Sequence, residues 1–122
     1  MTRSLLSVAP VLAVSEVEAA IAHYVDRLGF TLHHRMGQPA TYAIVERDAL
    51  SLHLMPKTQD PTIGRTALYV FVADVDALHR ELVARGQEIE VAPTDLSYGM
   101  REMSVRDPDG HRLTFGREIF RA

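Results

Sequence analysis

The sequence predicts an α+β fold: two tandem βαβββ modules, each a curved mixed sheet with one helix on its convex side. Three observations predict it. Two segments carry apolar residues at helical spacing between recognisable ends, the rest of the chain alternates in strand-length pieces, and the pattern occurs twice. Glu16-Val17-Glu18-Ala19 matches Asp74-Val75-Asp76-Ala77 at an offset of 74 − 16 = 58. The modules span about 5–57 and 66–120, joined by a linker over 58–65 that contains Pro61 and Gly64. Together they form one domain of 122 residues.

The first helix is expected over 16–28. Val17, Ile21, Tyr24 and Leu28 form its apolar stripe, Ser15 and Glu18 read as a capping box, and Gly29 stands where a left-handed residue ends a helix. The second is expected over 75–85, with Asp74 capping its first amides, Val75, Leu78 and Leu82 as its stripe, and Gly86 closing it. Strands are expected near 5–14, 30–36, 40–47, 50–55, 66–73, 88–92, 100–106 and 111–117. Asp107-Pro108-Asp109-Gly110 is a tight turn, because proline presets its second position and glycine accepts a positive φ.

Composition narrows the function classes. Hydrophobic residues make up 47% and charged residues 24%, the balance of a globular domain rather than a disordered one. The net charge of −3, without a basic patch, argues against nucleic acid as a partner. No apolar run reaches the ~18 residues of a membrane span, and MTRSLLSVAP lacks a secretory apolar core, so a cytoplasmic setting without membrane attachment is expected. The absence of cysteine excludes disulfides, thiolate metal sites and cysteine nucleophiles. No serine lies in a G-x-S-x-G elbow, so no catalytic constellation is assigned.

Alternation assigns the sheet faces. Leu50, Leu52, Leu54, Val105, Leu113 and Phe115 are expected under the helices. The opposite parity places Ser51, His53, Glu102, Ser104 and Thr114 on the concave face. The repeat adds Tyr42 and Ile44, and the first strand of each module adds Ala9 and Val11, then Leu68 and Val70. An apolar floor with few polar groups suits an organic molecule. From these positions and the loop aromatic Tyr98, the expected ligand-binding set is Tyr42, Ile44, His53, Leu68, Val70, Tyr98, Glu102, Ser104 and Thr114. His23, His79 and His111 are expected at the surface, and His33 and His34 on opposite faces of one strand.

The double repeat, the helix start SEVEAAIAHYVDRLGF and the segment SYGMREMSVRDPDGHRLTFG resemble the vicinal oxygen chelate superfamily, which includes glyoxalase I, ring-cleaving dioxygenases and bleomycin resistance proteins. The first strand VAPVLAV and the YGMRE loop look most like the bleomycin resistance branch. Metal-dependent members carry His, Gln or Glu at positions that here fall on Ala9, Leu68 (Ala67 with a one-residue slip), His53 and Thr114. One ligand does not hold a divalent ion against water. The resemblance therefore implies a homodimeric, non-catalytic protein that binds a planar or amphipathic, antibiotic-like organic molecule by sequestration, with no metal and no cofactor. The alternative is an enzyme of the same superfamily (lyase, isomerase or dioxygenase-like) with an atypical or absent metal site.

Overall fold

The computed structural model describes residues 4–119, so the last position of the expected second module lies outside the described residues. The chain runs β1 (Val11–Val14), α1 (Val17–Leu28), β2 (Thr31–Met36), β3 (Tyr42–Arg47), β4 (Leu50–Pro56), β5 (Ala67–Phe71), α2 (Val75–Ala84), β6 (Val91–Asp95), β7 (Met100–Arg106) and β8 (Arg112–Glu118). Two four-stranded sheets result, in the orders β1-β4-β3-β2 and β5-β8-β7-β6. In each the first strand runs parallel to the last, and the other pairs are antiparallel. The two βαβββ modules are thus present as read, each with a mixed sheet.

Helix α1 packs on β2, β3 and β4, and α2 on β6, β7 and β8. The expected stripe of α1, Val17, Ile21, Tyr24 and Leu28, is buried together with Ala20. Gly29 ends the helix at φ 75°, a conformation that costs a residue with a side chain more than it costs glycine. Asp74 caps α2 by accepting from the amide of Ala77 at 3.0 Å. Leu52, Leu54, Val105, Leu113 and Phe115 enter one cluster of buried side chains that runs through both modules. Each such leucine contributes about 1.5–3 kcal/mol by leaving water. The other face of each sheet remains open.

Several local expectations are corrected. The capping box does not form: Glu16 is the N-cap and its side chain caps nothing. Ser15 instead donates through its amide (2.9 Å) and hydroxyl (2.6 Å) to Asp109, and Glu18 accepts from Arg35 (3.0 Å) and the amide of Ala40 (2.9 Å). The strand expected from residue 5 begins only at Val11, after Pro10, which has no N–H to give to a sheet ladder. The strand expected over 88–92 is displaced to Val91–Asp95, where the register shifts around Pro93. A similar shift between Leu32 and His34 interrupts the alternation expected for the paired histidines; His34 lies opposite Ile44, and His33 Nδ1 is 3.4 Å from Glu46.

Polar contacts tie the modules together at two junctions. At the first, the turn between β7 and β8 reaches α1 and β1. Tyr24 donates its hydroxyl to Asp107 Oδ2 at 2.8 Å, and Asp107 Oδ1 accepts the amides of Asp109 and His111. His111, expected at the surface, is 1% exposed. Its Nδ1 accepts from the amide of Thr66 at 2.9 Å, so the proton sits on Nε2, which donates to the Ala13 carbonyl at 2.8 Å. At the second junction the turn between β3 and β4 reaches α2, where Arg47 donates to both carboxylate oxygens of Glu81 at 2.6 and 3.0 Å and to the Leu28 carbonyl at 2.8 Å.

Candidate functional site

The open face of the second sheet carries a compact polar and aromatic group. Glu102 on β7 accepts from two tyrosine hydroxyls, Tyr69 on β5 at 2.6 Å and Tyr98 in the loop before β7 at 3.0 Å. The ring of Tyr69 lies across Gly116 of β8, a position where any Cβ would collide with it. Partial burial, and then donation to Glu102, push the Tyr69 hydroxyl up to about 12. The same two causes raise the Tyr98 hydroxyl above its ordinary value. Both phenols therefore stay protonated at neutral pH and hold one carboxylate between them. Tyr69 remains 43% exposed, Tyr98 65% and their neighbour Phe71 77%. The exposed rings can stack on a planar group while the carboxylate between them accepts a hydrogen bond from it.

The open face of the first sheet carries a second group. Tyr42 on β3 and His53 on β4 are hydrogen-bonded through the phenol oxygen and Nδ1 at 2.7 Å, with their rings edge to face 5.5 Å apart. Ile44 pairs with His53 across the strands, and Val11 of β1 pairs with it on the other side. No hydrogen bond or ring contact among the described residues joins this group to Glu102 and its tyrosines.

The expected residues divide accordingly. Tyr42, Ile44 and His53 stand on one open face, and Tyr98, Glu102 and Thr114 belong to the other sheet's. Ser104 shares that parity but is buried, and its hydroxyl donates to Glu90 at 3.0 Å. Glu90 also pairs with Arg106 and Arg112, which hold its carboxyl well below the usual range, at about 2. The face expected for Leu68 and Val70 is corrected: both pack against the buried cluster, and the open parity of β5 belongs to Ala67, Tyr69 and Phe71. Tyr69 thus takes the open position that alternation assigns to its neighbours. The offset of 58 that aligns the helices carries Val11 onto Tyr69, which would have found it.

Among the described residues no group of three or more His, Asp or Glu side chains is placed to hold a metal ion. No helix among them is long and apolar enough to cross a membrane.

Comparison with known proteins follows the same lines. A structure of TioX from Micromonospora sp. ML1 superposes with a TM-score of 0.79 at 24% identity, over 92% of this chain and 98% of that one. A bleomycin-binding protein from bleomycin-producing Streptomyces verticillus, solved with copper(II)-bleomycin, gives a TM-score of 0.73 at 30% identity, over 93% and 97% of the two chains. An uncharacterised protein of Mycolicibacterium smegmatis is 32% identical over 105 residues, 86% of this chain and 87% of that one. The family described as "Glyoxalase/Bleomycin resistance protein/Dioxygenase superfamily" matches residues 5–115. With its paired βαβββ modules and a match over nearly its whole length, the chain belongs to the glyoxalase/bleomycin resistance protein/dioxygenase superfamily.

Proposed function

We propose that this protein sequesters a planar or amphipathic organic molecule, without converting it, in clefts formed between the open sheet faces of a homodimer. The observation that carries the reading is the exposed trio Tyr69, Phe71 and Tyr98 around Glu102, an arrangement suited to a flat ligand bearing a donor or a cationic group. Tyr42, His53 and Ile44 on the other sheet supply the opposite wall. A second copy would bring the two groups together, since no contact among the described residues joins them within one chain. Leu5, Leu6 and Val8, 90%, 86% and 86% exposed, add apolar surface for it to cover. The bleomycin-binding relative supports an organic ligand, since it is solved with copper(II)-bleomycin.

The test is a calorimetric screen of planar antibiotics and aromatic metabolites against the wild type, Tyr98→Ala and Glu102→Gln. Tyr98→Ala should weaken true ligands by about 1 kcal/mol through loss of stacking. Glu102→Gln should cost cationic ligands about 1.5–3 kcal/mol. Ligands indifferent to both substitutions, or consumed during the titration, would count against the reading. Sedimentation should give twice the chain mass of 13.6 kDa.

A further inference from the structure

We propose that the second junction holds a small-molecule site that adjoins the Tyr98–Glu102 face, with Tyr69 and Phe71 at the boundary between them, and that its ligand is a neutral, peptide-like molecule: an N–H donor and a C=O acceptor flanking one carbon that bears an apolar group. A cavity of about 600 Å³ lies there, between the β3–β4 turn, the outer edge of β5 and α2. Its walls include Phe30, Leu50, Leu78, Leu82 and Phe115.

The repeat shows what this cavity lacks. In β1, Pro10 and Val14 turn their carbonyls toward β4, accepting from His53 and Lys57 at 2.9 Å each, so Ala13 and Ser15 turn theirs to the free edge. At the first junction that edge is filled by protein: the Ala13 carbonyl accepts from His111 Nε2, and the Ser15 amide donates to Asp109. In β5, Thr66 and Val72 face β8 in the same way, so Phe71 and Ala73 face outward. The offset of 58 carries Ala13 to Phe71 and Ser15 to Ala73, and the matching registers Leu12↔Leu54 and Val70↔Phe115 confirm the equivalence. The Phe71 carbonyl and the Ala73 amide have no protein partner among the described residues. Both residues line the cavity, as does Leu82, the counterpart of Tyr24.

One donor and one acceptor, two residues apart on a strand edge, are the pair that a neighbouring parallel strand answers with the N–H and C=O of a single residue. The apolar walls take the side group of that residue. Of the charged residues lining the cavity, Arg47 is positive and Asp48, Asp74 and Glu81 are negative, with Arg47 already bidentate on Glu81. This favours a neutral amide end over a free carboxylate.

N-acetyl-L-phenylalaninamide is the probe, titrated into the full chain and read by amide NMR and calorimetry. One saturable site per chain is expected, with the Ala73 amide among the shifted signals. Ala77→Phe and, from the opposite wall, Ala49→Phe place a ring in the cavity from exposed positions, and each should weaken binding at least about tenfold. Methylating the acetylated nitrogen of the probe removes the donor to Phe71 and should cost about fivefold. N-acetyl-L-phenylalanine should bind more weakly than the amide. Tyr98 does not line the cavity, so Tyr98→Ala should leave binding here unchanged, and that variant tells failure of this site from failure of the sequestering face. No saturable shift at Ala73 up to the solubility of the probe overturns the proposal. So does loss of binding in Tyr98→Ala with both ring-filling variants unaffected, or competition by rising protein concentration, which would mean that a second copy occupies the edge.

Discussion

The two module junctions occupy equivalent places in a duplicated scaffold, yet one is filled with hydrogen bonds and the other with open space. Ala13, Ser15 and Tyr24 at the first correspond to Phe71, Ala73 and Leu82 at the second, by the same offset of 58. The turns opposite them differ as well. The offset is 60 from Val45 to Val105 before the turn and 61 from Leu52 to Leu113 after it, so the β7–β8 turn is one residue longer. That length, with Pro108 and Gly110, lets Asp109 and His111 reach the facing edge while Asp107 reaches Tyr24 on α1. The shorter turn offers Arg47, which stops at Glu81 on the helix. A repeat therefore copies the sheets and helices, while a few side chains and one inserted residue decide whether a junction is structural or receptive.

The largest effect should come from emptying the first junction. Asp107→Ala removes the acceptor of the buried Tyr24 hydroxyl and of two turn amides, and should cost about 3–4 kcal/mol in urea unfolding. Tyr24→Phe keeps the ring in the core and should cost less, about 1–2 kcal/mol. Arg47→Ala at the second junction should cost only about 1 kcal/mol, because Arg47 and Glu81 are 27% and 35% exposed and solvent weakens their attraction. Equal losses at the two junctions would mean that they carry the fold alike.

The same contrast explains what the sequence disclosed. Both modules, both helices and the apolar parity of β4, β7 and β8 follow from local periodicity, and each matches the structure. What it hid is long-range or featureless. β5 reads Ala-Leu-Tyr-Val-Phe, apolar at every position, so alternation gives no face and Tyr69 was exchanged for its neighbours Leu68 and Val70. Ser15 looks like a cap until the turn 94 residues later claims it. His111 looks like a turn residue with nothing to bind, because Ala13 and Thr66 meet it only in the folded chain. At the proposed site, the open-face position of Glu102 follows from strand parity and that of Tyr98 from its loop, whereas the bond from Ser104 to Glu90 depends on the register of β6.

The smallest effects separate the junctions by pH. His23 and Glu81 are counterparts, again 58 apart, one beside Tyr24 and the other beneath Arg47. Burial lowers His23 below its ordinary 6.5 against the opposing pull of Asp107, and its Nε2 has no hydrogen-bond partner among the described residues. A histidine lowered in the fold takes its proton more readily when unfolded, so its contribution is full at neutral pH and falls as pH drops through about 6.5. The bonds from Arg47, outweighing its desolvation, lower Glu81 below 4.5, so its contribution holds above that value and is lost only as pH falls further. Urea midpoints measured between neutral and acid pH should therefore show two steps. His23→Gln should flatten the step near 6.5 and leave the acid one, while Glu81→Gln should lower stability at neutral pH and converge on the wild type in acid. A step near 6.5 that survives His23→Gln would place that titration elsewhere, and the first junction would then be as indifferent to mild acid as the second.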